Sequence, residues 1–372
     1  MKIMYYINSL NIGGAETLVT DYLIELKKAG NDVSVVLEYR TESFLYKRLV
    51  DNGVAIYSIF SQTGTGFFTK VRRKLALILF GKKRLNRLVR KINPDVIHIH
   101  ASITYFNLKT SGFPVEKIFF TFHTDVKRHL GMYGKGYEKK LYAFAQNGMK
   151  FVAISRRIEC DTRKLLDTEN VYYVPNGIRL KEISAKHIDR KEFLGRLGIG
   201  ENAFIVGHVG RLHEVKNHEK LISSFVEVLK KRPDSYLLSV GEASGAYAEK
   251  IKADIEQKGL TEKVKLLGCR SDAPEIMSIF DVFVLPSHME GLPLVLLEAQ
   301  AHNIKCVISS AIPKDVICTD KVIVLDKDAS DEMWADAIVD GRDLYSKPVG
   351  MISAFELSAV MDKHIELYNS AL

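Results

Sequence analysis

Cysteine is scarce: Cys160, Cys269, Cys306 and Cys318 are the four in 372 residues, and no two form a C-x-x-C pair. That argues against a structural zinc site and against a secreted disulfide framework, and fits a reducing cytosol. Long apolar runs are missing too. The stretch Leu75–Phe80 falls far short of the roughly 18–20 residues that a spanning helix needs. The opening segment MKIMYYINSLNIGG has no small-residue cleavage site, so it reads as a first buried strand entering a glycine turn. The expectation is a soluble, cytoplasmic chain, attached at most to a membrane face. There is no short-period repeat, no low-complexity stretch and no G-x-G-x-x-G fingerprint.

What is present is enough chain for two ordinary globular domains, 47% of it apolar and 26% charged. The net charge of +8 is unevenly spread. Residues 1–200 hold 34 Lys/Arg against 18 Asp/Glu, a net of +16, while residues 201–372 hold 19 against 27, a net of −8. A split this steep suggests that the front half faces something anionic.

Short apolar runs alternate with longer segments of helical period. Lys2–Asn8, Asp32–Glu38, Val96–His100, Lys117–Phe122, Phe151–Ile154 and Val171–Val174 read as strands, with helices at Ala15–Ala29 and Ser43–Asn52. The plan then repeats. Phe204–Val209, Ser235–Val240, Val264–Leu267, Val282–Pro286 and Val307–Ser309 read as strands, and Glu219–Lys230, Tyr247–Lys258 and Leu292–His302 as helices. Continuously apolar strands alternating with helices imply parallel sheets covered on both faces. Two such series predict an α/β protein of two doubly wound, Rossmann-like domains facing a cleft, divided near Pro175–Gly177. Ligands of such sheets bind beyond the carboxyl ends of the strands, so the loops after strands are the places to search.

Gly13-Gly14 follows the first strand and opens a helix, where bare backbone amides can approach a phosphate. His98 and His100 lie on one face of a strand, and read as its polar end beside the cleft because no third metal ligand has suitable spacing. His123 and Asp125 come straight after an apolar strand. Arg211 and Lys216 share one strand-end loop and can clamp a diphosphate, as a planar fork and a point charge. The run Glu290-Gly-Leu-Pro reads as the start of a helix that carries Glu298, eight residues on. Were both on one helix, their carboxylates would be about 12 Å apart, close to the length of a sugar–diphosphate–ribose ligand.

This assembled order (GG, a strand-end histidine, VPNG at Val174–Gly177, GRL with a later lysine, then E-x7-E from Glu290 to Glu298) resembles the family 4 retaining glycosyltransferases. These are of the two-Rossmann, GT-B type, and the likeness is to the exopolysaccharide, capsule and O-antigen branch. It runs over nearly the whole chain. The resemblance implies an N-terminal domain over 1–179 that takes back a closing helix at 354–372, and a nucleotide-sugar domain over 180–353. It implies that Gly13 and Gly14 bring amides to the diphosphate, and that Arg211 and Lys216 neutralise the leaving group. Glu298 would bind the ribose, and the backbone of Gly268, Cys269 and Arg270 the base. Glu290 with the Gly291 and Leu292 amides would hold the donor sugar, and His123 would stand near sugar and acceptor. Asp125 is two places from His123 rather than adjacent, and no role is carried onto it. The donor implied is a UDP-sugar by family habit, the acceptor lipid-linked or a saccharide. No cofactor or metal is implied, since two cations and a helix N-terminus can supply the positive potential, and no Asp-x-Asp occurs in these loops.

Residues 70–91 hold ten Lys/Arg and no acid. Val71, Leu75, Ile78, Leu85, Leu88, Val89 and Ile92 recur at helical spacing, with a break expected at Gly81. At roughly 1 kcal/mol per cation near an anionic surface, this segment predicts docking on the inner membrane face. Nucleic acid is a poor fit, because the interleaved aromatics of a single-strand platform are missing. Two other readings stay open on sequence: a sugar-nucleotide epimerase of the same fold, and a non-catalytic nucleotide-sugar-binding protein.

Overall fold

The structure is a computed structural model that describes residues 1–11, 13–40, 42–60, 76–100 and 112–372. The chain divides into two compact units, Met1–Gly177 with Leu357–Leu372, and Ile178–Glu356.

The first unit is built on seven strands: β1 (Lys2–Ile7), β2 (Asp32–Tyr39), β3 (Ala55–Phe60), β4 (Val96–His100), β5 (Ile118–Phe122), β6 (Lys150–Ala153) and β7 (Val171–Tyr173). Their order is β3-β2-β1-β4-β5-β6-β7 and every pair is parallel. The central strands are buried along nearly their whole length, which is why they read as unbroken apolar runs. The helix Leu357–Asn369 belongs to this unit and packs beside Gly14–Lys28. At Gly177 the backbone passes within contact of that helix: a Cβ would meet Leu357 Cα at 3.0 Å.

The second unit carries β8 (Phe204–Val209), β9 (Ser235–Val240), β10 (Val264–Gly268), β11 (Val282–Leu285), β12 (Lys305–Ser309) and β13 (Val322–Leu325). These are also parallel, in the order β10-β9-β8-β11-β12-β13. A core of Phe225, Ile251, Trp334, Ile338 and their neighbours lies between this sheet and the helices His218–Lys231, Ala246–Gln257 and Asp331–Val339. In each sheet the strand order reverses once, between β1 and β4 and between β8 and β11. Loops diverge at such a reversal, and the crevice they leave is where doubly wound sheets bind ligands.

The basic segment departs from expectation at Gly81. A π-helical turn, Leu77–Gly81, continues into the α-helix Lys82–Ile92 without a break. Gly81 is buried and takes ordinary right-handed angles (φ −56°, ψ −46°), and a glycine interrupts a helix only where other angles are demanded. Leu85 and Val89 enter the core, while Lys82, Lys83, Arg84, Arg87, Arg90 and Lys91 are exposed. Residues 70–75 of the basic segment, with Val71 and Leu75 of the expected stripe, lie outside the described residues. Among the described residues, no helix is long and apolar enough to cross a membrane.

Candidate active site

In the second unit, the loops after β8 and β11 flank the strand-order reversal. The β8 loop runs from Gly210 into the helix that starts at His218, and the β11 loop from Pro286 into the helix Leu294–Ala301. Three bonds hold these loops together. Asn217 Nδ2 donates to the Pro286 carbonyl at 3.2 Å, the His288 N–H to the Val215 carbonyl at 2.8 Å, and Lys216 Nζ to Glu290 Oε1 at 2.7 Å. Asn217 can turn the chain here because asparagine tolerates the left-handed region (φ 55°), and its side chain also caps the following helix at Lys220 N. The ion pair is largely enclosed, with side chains 21% and 12% exposed for Lys216 and Glu290.

Lys216 therefore does not stand as a free cation; its charge is shared with Glu290. Arg211, on the same loop, is exposed and makes no ion pair with a described residue. Beneath Lys216 lie two buried imidazoles, His208 and His218, with ring centroids 4.7 Å apart. Burial, and for each also the nearby Lys216 charge, keeps both neutral, with His218 pushed down to about 4.

Close backbone approach assembles the rest of this rim. Gly241 sits at φ 156°, and a Cβ there would collide with the Gly210 carbonyl oxygen, so the ends of β8 and β9 meet only because residue 241 lacks a side chain. The Gly241 N–H donates to the Gly268 carbonyl at 2.8 Å. A register shift between Leu266 and Gly268 bends the end of β10, and Gly268 takes a left-handed φ of 70°. Cys269 and Arg270 follow, both exposed, with the Arg270 guanidinium in a two-pronged pair with Asp272 at 2.8 and 2.7 Å.

The expectation that Glu290 and Glu298 lie on one helix fails. The helix begins at Leu294, and Glu290 stands four residues earlier in the loop, so helical rise does not set their separation. Pro293 is the cause: it occupies the N-cap with extended angles (φ −76°, ψ 98°), and the residues before it follow the β11 loop. Leu292 is buried and Gly291 half-buried. Glu298 lies on the helix, and burial raises its carboxyl to about 7 with no bonding partner among the described residues.

In the first unit, Gly13 is the N-cap of the helix Gly14–Lys28, and its amide neighbourhood is already approached by an anion. A Cβ on Gly13 would collide with the Glu16 carboxylate, which folds back over the first turn. His98 and His100 share a face of β4 as the alternation required, but His98 is no cleft-side strand end. It is fully buried, bonded through Nε2 to Thr121 Oγ1 at 2.7 Å and through Nδ1 to Tyr368 Oη at 2.5 Å, and Tyr368 in turn meets Tyr5 Oη at 2.8 Å. This network ties the closing helix to the sheet. His123, just past β5, is half-buried and bonds through Nε2 to His100 Nδ1 at 3.0 Å. Asp125 caps the helix Val126–Tyr133 by accepting from Arg128 N at 3.0 Å, which accounts for it structurally.

Asn217, His208, His218 and Tyr368 were not singled out from the sequence. Only Asn217, a cap-type residue just before a helical run, carried a local signal.

Two family matches cover most of the chain: residues 12–182 match Glycosyltransferase Family 4 and residues 189–341 match Glycosyl transferases group 1. The chain is a glycosyltransferase of the GT-B fold. This glycosyltransferase is similar to the Escherichia coli UDP-Gal:alpha-D-GlcNAc-diphosphoundecaprenol alpha-1,3-galactosyltransferase, at 28% identity over 66% of this chain and 65% of the relative. It is 24% identical to the capsular polysaccharide biosynthesis glycosyltransferase CapH of Staphylococcus aureus, over 84% and 81% of the two chains. Among solved structures, Anabaena Alr3699/HepE in complex with UDP and glucose shares the fold at a TM-score of 0.79, covering 100% of both chains at 17% identity.

Proposed function

We propose that this glycosyltransferase acts in surface polysaccharide biosynthesis and moves a sugar, with retention, from a UDP-sugar to a lipid-linked or saccharide acceptor. The observation that carries the reading is the Lys216–Glu290 pair, which couples the two loops at the strand-order reversal of the second sheet and has Arg211 on the same loop. Further support for the donor and acceptor comes from relatives: one is named for UDP-galactose and a diphosphoundecaprenol acceptor, and one fold neighbour was solved with UDP and glucose.

In this reading the backbone of Gly268, Cys269 and Arg270 holds the base and Glu298 the ribose hydroxyls. Arg211 and Lys216 hold the diphosphate, with amides of Gly13 and Gly14 contributing to it. Glu290 and the Gly291 and Leu292 amides hold the sugar, and His123 stands beside it. As the bond from the sugar's anomeric carbon to the diphosphate breaks, negative charge grows on the departing oxygen, where the two cations stabilise it. The acceptor oxygen bonds to the anomeric carbon on the same face, and its proton passes to the departing phosphate oxygen. Two fixed cations do the work of charge neutralisation, so the proposal requires no metal and no cofactor.

The exposed basic helix Lys82–Ile92, beside exposed Leu79 and Phe80, supports docking on an anionic membrane face. Sedimentation with phosphatidylglycerol vesicles but not with phosphatidylcholine vesicles is the expected result, and equal partitioning refutes the docking. The transfer itself is tested by incubating the enzyme with UDP-sugars and a lipid-diphosphate saccharide and measuring UDP release. Release that depends on acceptor and is lost in Glu290→Ala supports the reading; equal release by Glu290→Ala removes Glu290 from it.

A further inference from the structure

We infer that His100 is a positioning residue that fixes the tautomer of His123, so that His123 presents a Nδ1–H donor toward the reacting sugar. The inference rests on the proposed place of His123 beside that sugar.

The geometry starts from two adjacent parallel strands. His100 closes β4 and pairs in register with Thr121 of β5, which puts His123, two residues further on, beside it. The rings stack at a centroid distance of 5.2 Å and the nitrogens His100 Nδ1 and His123 Nε2 are 3.0 Å apart. One of these two nitrogens must carry the proton. Burial holds both imidazoles neutral, which leaves one N–H on each ring.

The other nitrogen of His100 decides between the two arrangements. His100 Nε2 is buried and has no partner among the described residues. If His123 Nε2–H donated to His100 Nδ1, the His100 proton would sit on Nε2 as a buried N–H with nothing to accept it. Orphaned buried N–H groups are rarer than orphaned acceptors. If instead His100 Nδ1–H donates to His123 Nε2, the buried Nε2 is a bare lone pair lying among ring faces, flanked by His98 at 4.3 Å and Tyr5 at 4.7 Å between centroids. The His123 proton is then on Nδ1, which has no bond to a described residue. A donor there, held by the bond at the far side of the ring, is suited to a sugar or acceptor hydroxyl oxygen. The second nitrogen of a histidine sets the tautomer of the first in the same way at metal sites.

The test reads the tautomer directly. Long-range proton–nitrogen correlation spectra of the full, substrate-free protein should show His123 as the Nδ1–H form, with its signals assigned by their loss in His123→Gln. In His100→Phe, which fills the space without a donor, the Nε2–H form should appear and turnover should fall at least tenfold with the donor KM changed less than threefold. In His100→Asn, whose amide can donate from the Nδ1 position, the Nδ1–H form and most of the turnover should return. A wild-type His123 in the Nε2–H form overturns the inference, as does His100→Phe with wild-type turnover. The spectrum is recorded without substrate, so its outcome is independent of whether His123 serves the reaction; wild-type turnover in His123→Gln would be the separate failure of that role.

Discussion

Replacing Glu298 by glutamine should make the free protein more stable at pH 8 while weakening its hold on a nucleotide. Burial raises the Glu298 carboxyl from 4.5 to about 7. Below pH 4.5 the proton is bound in both the folded and unfolded chains, and the buried site carries no charge penalty. As the pH rises through about 7, the folded protein must ionise a buried carboxyl, and the stability held at low pH is lost. A shift of this size corresponds to about 3 kcal/mol once both states are ionised. The glutamine amide has nearly the same shape and does not titrate, so Glu298→Gln should unfold at a higher temperature than wild type at pH 8, by several °C. The gap should close toward pH 5. Thermal unfolding of both proteins across that range measures the effect, and calorimetric titration with UDP should show at least a tenfold weaker dissociation constant for the variant. Parallel pH–stability curves for the two proteins would refute the buried-carboxylate reasoning, and unchanged UDP affinity would refute the ribose assignment.

Lys216→Ala removes the partner of an enclosed carboxylate and one of the two cations proposed to face the leaving group; steady-state kinetics should show kcat down by about two orders of magnitude, or roughly 3 kcal/mol, and a loss under threefold rejects the role. Gly241→Ala drives a methyl into the Gly210 carbonyl at a positive φ, so denaturant unfolding should lose about 3 kcal/mol; a loss below about 0.5 kcal/mol would show that the loops can separate freely. Tyr368→Phe deprives both His98 Nδ1 and Tyr5 Oη of their shared hydroxyl and should cost about 1–3 kcal/mol in thermal unfolding. An unchanged melting curve would show that the network does not hold the closing helix.

The central strands were legible because they are buried on both faces and therefore continuously apolar: KIMYYI in β1 and FIVGHV in β8 admit little else. The edges were not. β3, at the rim of its sheet, reads AIYSIF with half-exposed positions, and β13 offers only the four residues VIVL. Neither length nor alternation separates such pieces from loop. The helices Val126–Tyr133 and Lys135–Gln146 were missed because Gly134, at φ 79°, splits what would have been one longer periodic segment. At the candidate site, Arg211 and Lys216 were found as residues after an apolar strand and Glu290 as the start of an E-G-L-P run, which is local information. Their pairing was not, since Lys216 and Glu290 are 74 residues apart and meet only through sheet order. Likewise His98 and His100 share one face by alternation, yet Tyr368, which is 270 residues from His98, decides that one of them is structural.

The central proposal is that the loops after β8, β10 and β11 hold a nucleoside diphosphate with Arg211 and Lys216 as its cations and without a metal. Calorimetric titration of UDP, GDP and ADP into the full chain in the presence of EDTA tests it most directly. The account predicts that UDP binds tightest, that EDTA leaves its affinity unchanged, and that Lys216→Ala weakens it at least tenfold. Binding that vanishes in EDTA and returns with Mg²⁺, or UDP affinity equal in wild type and Lys216→Ala, would contradict it.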